Sequence, residues 1–422
     1  MRQSELFSKT QKSPPKDEES KNAQLLIRAG FIHKEMAGVY SFLPLGRRVL
    51  DNIMQIIRQE MDAIGGQEIL LTGLQNPEVW QKTGRWSDSV IDVWFKTKLH
   101  NDTEIGLGNT HEEPLTALMA NHISSYRDLP VYAYQMQTKF RNELRAKSGI
   151  MRTREFIMKD LYSFCKNEQE HQAFYEKVKE AYKKIFDRLG LGKVTYVTEA
   201  SGGSFSKFSH EFQTLCDAGE DIIYIDEQKG TAVNKGIIDD PELGYDKSKL
   251  KEAKAVEVGN IFTLGTKYSQ ALGLLYQDEQ GQKLPVFMGS YGIGPARAMG
   301  VIAQVYADEK GLVWPASAAP FQVHLVALAG GNEQADALYA DLQNSGVEVL
   351  YDDRAEAGAG EKLADADLLG IPWRVVASQK TAAADSYEAK QRTQKQATLV
   401  QVNNIHEFFK SNTLKTGAGR GN

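Results

Sequence analysis

The sequence is poor in residues that staple a fold or span a membrane. Its 422 residues hold two cysteines, Cys165 and Cys216. Neither lies in a CxxC or a Cys/His grouping, which excludes a disulfide framework and argues against a zinc site. A reducing, cytoplasmic location is expected from that usage. No apolar run approaches the roughly 20 residues of a membrane helix. The first twenty residues, MRQSELFSKTQKSPPKDEES, lack the apolar segment of a secretory signal, and Asp17, Glu18 and Glu19 do not suit a transit peptide. Basic charge is not in excess either: the net charge is -5. There is no global attraction for nucleic acid, so any RNA contact must use a local basic patch. No internal repeat is visible. What is present is the ordinary apolar and charged content of a globular protein, 41% and 25%. The length suits two or three domains with a sizeable core.

The most informative stretch is Val131 to Phe164, VYAYQMQTKFRNELRAKSGIMRTREFIMKDLYSF. Tyr132, Tyr134, Met136 and Phe140 alternate with Gln135, Gln137, Lys139, Arg141 and Glu143, the period of a strand with one packed face. A basic loop with Arg145, Lys147, Arg152 and Arg154 follows, with Gly149 as its turn residue. A second strand starts at Glu155, with Phe156, Met158, Asp160, Tyr162 and Phe164 on one face. Two antiparallel strands thus flank a cationic loop. Cations fixed on a rigid sheet suit a polyphosphate, whereas a solvated hairpin is the plain alternative.

Elsewhere, an apolar stripe from Val49 to Ile64 predicts a helix over about 47–64, ended by Gly65 and Gly66. A hairpin is expected for Val90 to Leu99 and Glu104 to Gly108, turning about Asn101 and Asp102. In GNTHEEP (108–114), Pro114 prefers the first helical position, which makes Glu113 the expected cap and leaves Thr110 and Glu112 facing one way. A hydroxyl and a carboxylate there suit an amino acid's ammonium. Glu168 to Leu189 reads as an amphipathic helix with Phe174, Val178, Tyr182, Ile185 and Phe186 buried. Period 2 puts Glu257 and Gly259 on one side of the strand beginning at Val256, where a glycine admits a close ligand. A strand then leads through GSYGIG (289–294) into a helix carrying Arg297. Beyond GLVWPASAA (311–319), strands alternate with helices, an α/β layer pattern.

The segment FRNELRAKSGIMRTREF resembles motif 2 of the class II aminoacyl-tRNA synthetases, and its wording is similar to the bacterial prolyl-tRNA synthetases. The resemblance covers nearly the whole chain. The helix–strand–Pro order up to Pro77 resembles motif 1, which implies a homodimer, although a core helix within one subunit fits the stripe equally well. The segment from Gly289 to Arg297 resembles motif 3. Implied are an α+β catalytic domain with an antiparallel sheet over 21–310 after a polar lead-in (1–20), a linker (311–319), an α/β anticodon-binding domain over 320–412, and a disordered tail (413–422). The implied activity is ATP-dependent attachment of L-proline to tRNA(Pro) through an adenylate. Another small-amino-acid synthetase of the class, or a non-catalytic tRNA-binding relative, are the alternatives.

The resemblance also implies roles. Thr110 and Glu112 bind the imino nitrogen, and Arg141 holds the proline carboxylate and the α-phosphate. Phe156 and Arg297 sandwich adenine, Glu143 meets its amino group, and Arg152 helps hold the pyrophosphate. Glu257 contacts ATP or its Mg²⁺; Asn260 stands where the bacterial subgroup has histidine. Phe262 and Ser290 line the proline pocket. His210, in a segment resembling GGS…SHEF, lines that pocket or is a strand residue, the latter being favoured. Asn109 stands where the family usually has proline. Asp353, Arg354, Glu361 and Lys362 read anticodon bases or form a salt-bridged strand end. The large editing insertion and the zinc-bearing C-terminal extension of some members have no counterpart here, so reliance on a separate editing factor, or tolerance of error, is expected.

Overall fold

A computed structural model describes residues 1–412 except Arg145, Lys147 and Ser204. Two cations of the basic loop and the tail expected to be disordered therefore lie outside the described residues. The chain forms two compact units. One comprises Met36–Val39 and Met54–Val301; the other comprises Met1–Glu35, Tyr40–Ile53 and the chain from Ile302 onward.

The first unit is built on a nine-stranded sheet. Its order is Phe208–Leu215, Thr195–Ser201, Thr231–Asn234, Asp221–Asp226, Lys251–Gly265, Phe287–Ile293, Glu155–Cys165, Val131–Phe140 and Gln67–Glu68. All pairings are antiparallel except two: Thr231–Asn234 on Thr195–Ser201, and Gln67–Glu68 on Val131–Phe140. The long Lys251–Gly265 strand gives its first half to Asp221–Asp226 and its second to Phe208–Leu215, so five strands close into a ring.

The central hairpin takes the register that its alternation implies, with Gln135 opposite Asp160, Gln137 opposite Met158 and Lys139 opposite Phe156. One face is covered by the helix Glu168–Arg188. Tyr132 stacks on Phe174 with ring centroids 3.5 Å apart. Phe174, Val178, Tyr182, Ile185 and Phe186 are buried, each contributing roughly 1.5–3 kcal/mol by leaving water. Tyr134 donates its hydroxyl to Asp62 at 2.6 Å. The opposite face, read as polar, is not solvated at its base: Gln135 and Lys139 are buried. Polar side chains can be buried only when they find partners, and these line a site.

The helix near residue 50 runs Pro44–Ala63, three residues longer at its start than the stripe suggests, because proline is at home in a first turn. Its stripe residues Val49, Ile53, Ile57 and Met61 are buried. The hairpin about Asn101 and Asp102 is shorter than expected, Lys96–Lys98 with Glu104–Leu107, and Asp102 takes a left-handed φ at its turn. The helix after Thr110 starts at Glu112, not after Glu113, with His111 as cap. Pro114 is then its third residue, still within the turn whose N–H groups lack intrahelical acceptors, so the expected cap is corrected.

In the second unit, five strands are ordered Val349–Asp352, Val323–Ala327, Trp373–Ala377, Ser386–Gln391 and Thr398–Gln401. The first three are parallel and the last two antiparallel. Helices Asn332–Asn344 and Ala359–Leu369 connect them. The stretch 311–319 is packed: Leu312, Trp314, Ala318 and Ala319 are buried. Within the lead-in, Met1–Ser4 is held to the edge strand, where Gln3 N–H donates to the Tyr351 carbonyl at 2.7 Å and Arg2 pairs with Asp336 and Asp353. Among the described residues no helix is long and apolar enough to cross a membrane.

Removing the ring beneath the hairpin should expose how much the helix holds. Phe174→Ala is expected to cost about 3–5 kcal/mol in denaturant unfolding. An unchanged midpoint would show that this helix does not secure the sheet.

Candidate active site

The charged face of the hairpin floors a cleft of about 660 Å³ lined by Arg141, Glu143, Arg152, Phe156, Glu257, Asn260, Gly292, Gly294 and Arg297. Arg141 follows directly on the strand Val131–Phe140, and its guanidinium lies 5.4 Å from the Phe156 ring centroid. Its Nε donates to Asn109 Oδ1 at 3.1 Å. Thus the asparagine standing where the family has proline takes part in holding Arg141. Among the described residues no carboxylate forms an ion pair with Arg141. Burial, with Arg297 adding to it, pushes its guanidinium below the usual range. A cation in that condition is poised for an anion that is not part of the chain.

Arg297 sits on the first turn of the helix Pro295–Val305. Its Nε donates to the Met151 carbonyl at 2.9 Å and Nη1 to the Glu257 carbonyl at 2.7 Å, so two backbone oxygens aim it. Glu143 accepts from Arg152 Nη2 at 3.0 Å, and Arg152 Nη1 reaches Glu220 at 2.8 Å. Arg154, a further cation of the basic stretch, donates Nε to the Glu143 carbonyl at 3.1 Å.

Glu257 reaches the cleft for a reason that period 2 misses. The register against Phe208–Leu215 shifts at this point, with Phe212 opposite Gly259 and Gln213 opposite Glu257. An extra residue there breaks the alternation. Glu257 thereby meets Asn260, whose Nδ2 donates to Oε1 at 2.7 Å. The expectation for Gly259 is corrected: a Cβ there would lie 3.1 Å from Tyr182 and 3.2 Å from the Gly292 carbonyl. Gly259 serves packing against Tyr182, not ligand approach. The close approach belongs to Gly292, whose Cβ would fall 2.8 Å from Asn260 Oδ1.

A second cleft shares Arg141, Glu143, Asn260 and Gly292 with the first. It is lined further by Thr110, Glu112, Phe262 and Ser290. Thr110 Oγ1 donates to Glu112 Oε2 at 2.6 Å. Arg141 therefore stands where the two clefts meet. Of the residues singled out for the catalytic site, His210 alone does not join them. Its Nδ1 bonds the Tyr175 hydroxyl at 2.8 Å, and burial drops its imidazole to about 4; it is a half-buried residue of its strand.

Sequence reasoning missed two groups in this second cleft. One is Arg85 with Phe205, both lining it. The other is a buried network at its base. Lys139 Nζ lies 2.9 Å from Asp160 Oδ1 and 2.7 Å from His111 Nδ1. Asp160 Oδ2 accepts from Gln135 at 3.0 Å and from the Tyr162 hydroxyl at 3.1 Å. His111 is lowered to about 4 by burial, with Lys139 adding to it, so its ring is neutral. The network ties the segment bearing Thr110 and Glu112 to the hairpin.

Residues 95–306 match the model of the tRNA synthetase class II core domain (G, H, P, S and T), and residues 322–412 match the anticodon binding domain. The chain is 37% identical to the proline–tRNA ligase of Agrobacterium fabrum, covering 93% of this chain and 96% of that protein. The chain belongs to the prolyl-tRNA synthetase family. It is 33% identical to the Bacillus subtilis proline–tRNA ligase over an alignment of 565 residues that covers all of that protein. That relative thus carries a long stretch with no counterpart in these 422 residues. The prolyl-tRNA synthetase of Cryptosporidium parvum, solved with halofuginone and AMPPNP, shares the fold, with a TM-score of 0.78 at 18% identity over 94% of this chain and 77% of that one.

In the anticodon-binding segment of this family member, Arg354 is spent on Asp352 (2.7 Å) and Asp365 (2.9 Å). Lys362 Nζ donates to the Ala327 carbonyl at 2.8 Å. Asp353 accepts from Arg2 and Ser4. These three form an ion-paired strand end. Glu361, 3.7 Å from Arg354, keeps 58% of its side chain exposed.

Breaking the buried pair tests the network. Lys139→Met leaves Asp160 uncompensated and should cost about 3–5 kcal/mol of stability, read by thermal unfolding. The double variant Lys139→Met/Asp160→Asn should recover part of that. A single variant as stable as the parent would show that the pair holds nothing.

Proposed function

We propose that this chain activates L-proline with ATP and attaches it to tRNA(Pro). The observation that carries the reading is the place of Arg141, a cation without a carboxylate partner where the two clefts meet. In this reading Arg141 receives the proline carboxylate and the α-phosphate together. The carboxylate attacks the α-phosphorus in line, the bond to the β-phosphate oxygen breaks, and pyrophosphate leaves. In the second step a hydroxyl of the terminal ribose of the tRNA attacks the adenylate carbonyl and AMP departs. No protein nucleophile is required, because positioning and charge stabilisation carry the rate.

The other roles follow from the same placement. Phe156 and Arg297, on one cleft, stack adenine between ring and guanidinium. Glu143 takes the adenine amino group, and Arg152 exchanges a carboxylate for the pyrophosphate. Thr110 and Glu112 hold the imino nitrogen while Phe262 and Ser290 border the ring. Among the described residues no group of three His, Cys, Asp or Glu could cage a metal, which suits a magnesium ion that arrives on ATP and takes one or two protein carboxylates. Glu257, already braced by Asn260, is the residue that would receive it. Bound there, magnesium supplies charge neutralisation for the phosphates. No role is assigned to zinc.

Glu361 is the anticodon-binding candidate left accessible, with Asp353, Arg354 and Lys362 framing it. The chain lacks the long stretch of the Bacillus relative, and a pocket shaped for proline rejects a smaller side chain by only about 1–3 kcal/mol. Removal of misacylated alanine is therefore assigned to a separate factor or left undone. The two cysteines are both buried, and so sparse a cysteine content suits a reducing, cytoplasmic setting.

A homodimer is supported by the exposed two-residue edge strand Gln67–Glu68 and by Leu70 and Leu74, which are 75% and 58% exposed. An exposed sheet edge beside apolar side chains is an interaction surface.

Exchange of pyrophosphate into ATP, run with a panel of amino acids, tests the activity. Proline alone should support it, and Arg141→Ala should lower it by at least about 10²–10³-fold with the unfolding transition unchanged. Stimulation by threonine or serine instead of proline would overturn the assignment, and undiminished exchange would remove Arg141 from the chemistry. For assembly, light scattering should give twice the chain mass, and Leu70→Asp/Leu74→Asp should halve it. A monomeric parent would overturn the dimer.

A further inference from the structure

We infer that Arg85 is a positioning residue for the amino-acid cleft. It pairs most closely with Glu113, so that Glu112, held at a longer distance, keeps negative charge to face the substrate's secondary ammonium. The inference deepens the reading of Glu112 given above and rests on it.

The helix beginning at Glu112 places two acids side by side, and both are buried: Glu112 is 6% exposed and Glu113 0%. Two adjacent buried carboxylates cannot both stay ionised without a counter-charge. Arg85 supplies one. Its Nη1 lies 3.0 and 3.1 Å from the two oxygens of Glu113 and 3.5 Å from Glu112 Oε2. Thr83 Oγ1 also donates to Glu113, at 2.9 Å. Glu113 is thus saturated, and it does not line the cleft, whereas Glu112 does.

The guanidinium is fixed as well as paired. It donates to the Tyr268 hydroxyl at 2.8 Å and lies 5.4, 5.7 and 5.4 Å from the ring centroids of Trp80, Phe205 and Tyr268. Such packing suits arginine and not lysine. Burial alone would lower Arg85, yet the charges of Glu112 and Glu113 hold it above the usual range. Burial lifts Glu113 to about 7 even with Arg85 opposing the rise. With both carboxylates ionised, the three groups together carry one negative charge. A substrate bringing one positive charge completes the balance, and one bringing none leaves it open.

This charge count makes the two single variants fail for opposite reasons and the double variant recover. In proline-dependent exchange with the full chain, Arg85→Gln leaves two carboxylates that share a proton, so that Glu112 itself is no longer fully ionised, and the KM for proline should rise about tenfold or more, equivalent to ~1.4 kcal/mol. Glu113→Gln turns Arg85 onto Glu112 and should raise it by about as much. Arg85→Gln/Glu113→Gln again presents one free carboxylate, and its KM for proline should return to within about threefold of the parent, well under the tenfold that ~1.4 kcal/mol represents. The KM for ATP should not move in any of them.

A double variant as weak as either single, an unchanged KM for proline in Glu113→Gln, or a parallel rise in the KM for ATP would overturn the inference and leave Arg85 a packing residue. If Arg85→Gln does not fold, Glu113→Gln decides alone. Absence of proline-dependent exchange in the parent would overturn the Glu112 reading itself, and the inference with it.

Discussion

The hairpin of Val131–Phe140 and Glu155–Cys165 has to satisfy two incompatible solvents at once. Its back is pressed against a helix through Tyr132 on Phe174. Its front carries amide, ammonium, guanidinium and carboxylate groups at depths where water does not compensate them. Each such group must be matched inside the fold or wait for a ligand. The front face sorts into those two kinds. Lys139, Asp160, Gln135 and His111 satisfy one another, whereas the guanidinium of Arg141, two residues beyond Lys139, donates among the described residues to the oxygens of Asn109 alone. The boundary between structure and chemistry therefore falls within one strand and its first loop residue.

Glycine follows the same division. At Gly259 the missing side chain lets Tyr182 fill the back of the sheet, and at Gly292 it lets Asn260 lie along the cleft. Two glycines on neighbouring strands thus serve opposite faces. Tyr182 in turn sits over Lys159, a buried ammonium whose charge is disfavoured by burial. The back of the sheet is consequently a poor place for charge, and the anions that a nucleotide brings are confined to the front.

Much of this was legible in the sequence. The alternation through Val131–Phe140 gave both strand and register, since a one-residue slip would exchange its faces. The stripe from Phe174 to Phe186 gave the covering helix. The cap argument set Thr110 and Glu112 side by side and alternation put Arg141 on the charged face, while family wording supplied the roles proposed for them and for Phe156 and Arg297. What stayed hidden depends on residues far apart in the chain. Arg85 lies in a turn with no period, and its meaning appears only when Glu113 and Tyr268 are brought to it. The route by which Glu257 enters the cleft depends on a bulge opposite Phe212, and neither strand records it separately. The helix start at Glu112 shows a local rule, proline first, yielding to an equally local one: the whole first turn lacks acceptors for its N–H groups. At the strand end of Asp353 and Arg354, charge pattern alone left base reading and ion pairing open, and Arg2, some 350 residues away, is one of the partners.

The arrangement also explains how few groups an adenylate-forming site needs. Burial, and after it the charge of Arg297, disfavours the Arg141 cation. The two guanidinia are aimed by hydrogen bonds to neutral oxygens, the Met151 and Glu257 carbonyls for Arg297 and Asn109 for Arg141, with the Glu257 carboxylate 3.9 Å from Arg297 Nη1. The neutral hydrogen-bond partners hold the guanidinia in place, and the long contact to Glu257 offsets the charge of Arg297 only in part. In the proposed reading, a phosphate arriving between them would meet two cations already aimed and only partly solvated, so little reorganisation would remain to be done as charge moves toward the leaving group. Had carboxylates held these arginines instead, as they hold Arg354, an incoming anion would first have to displace a charge of its own sign.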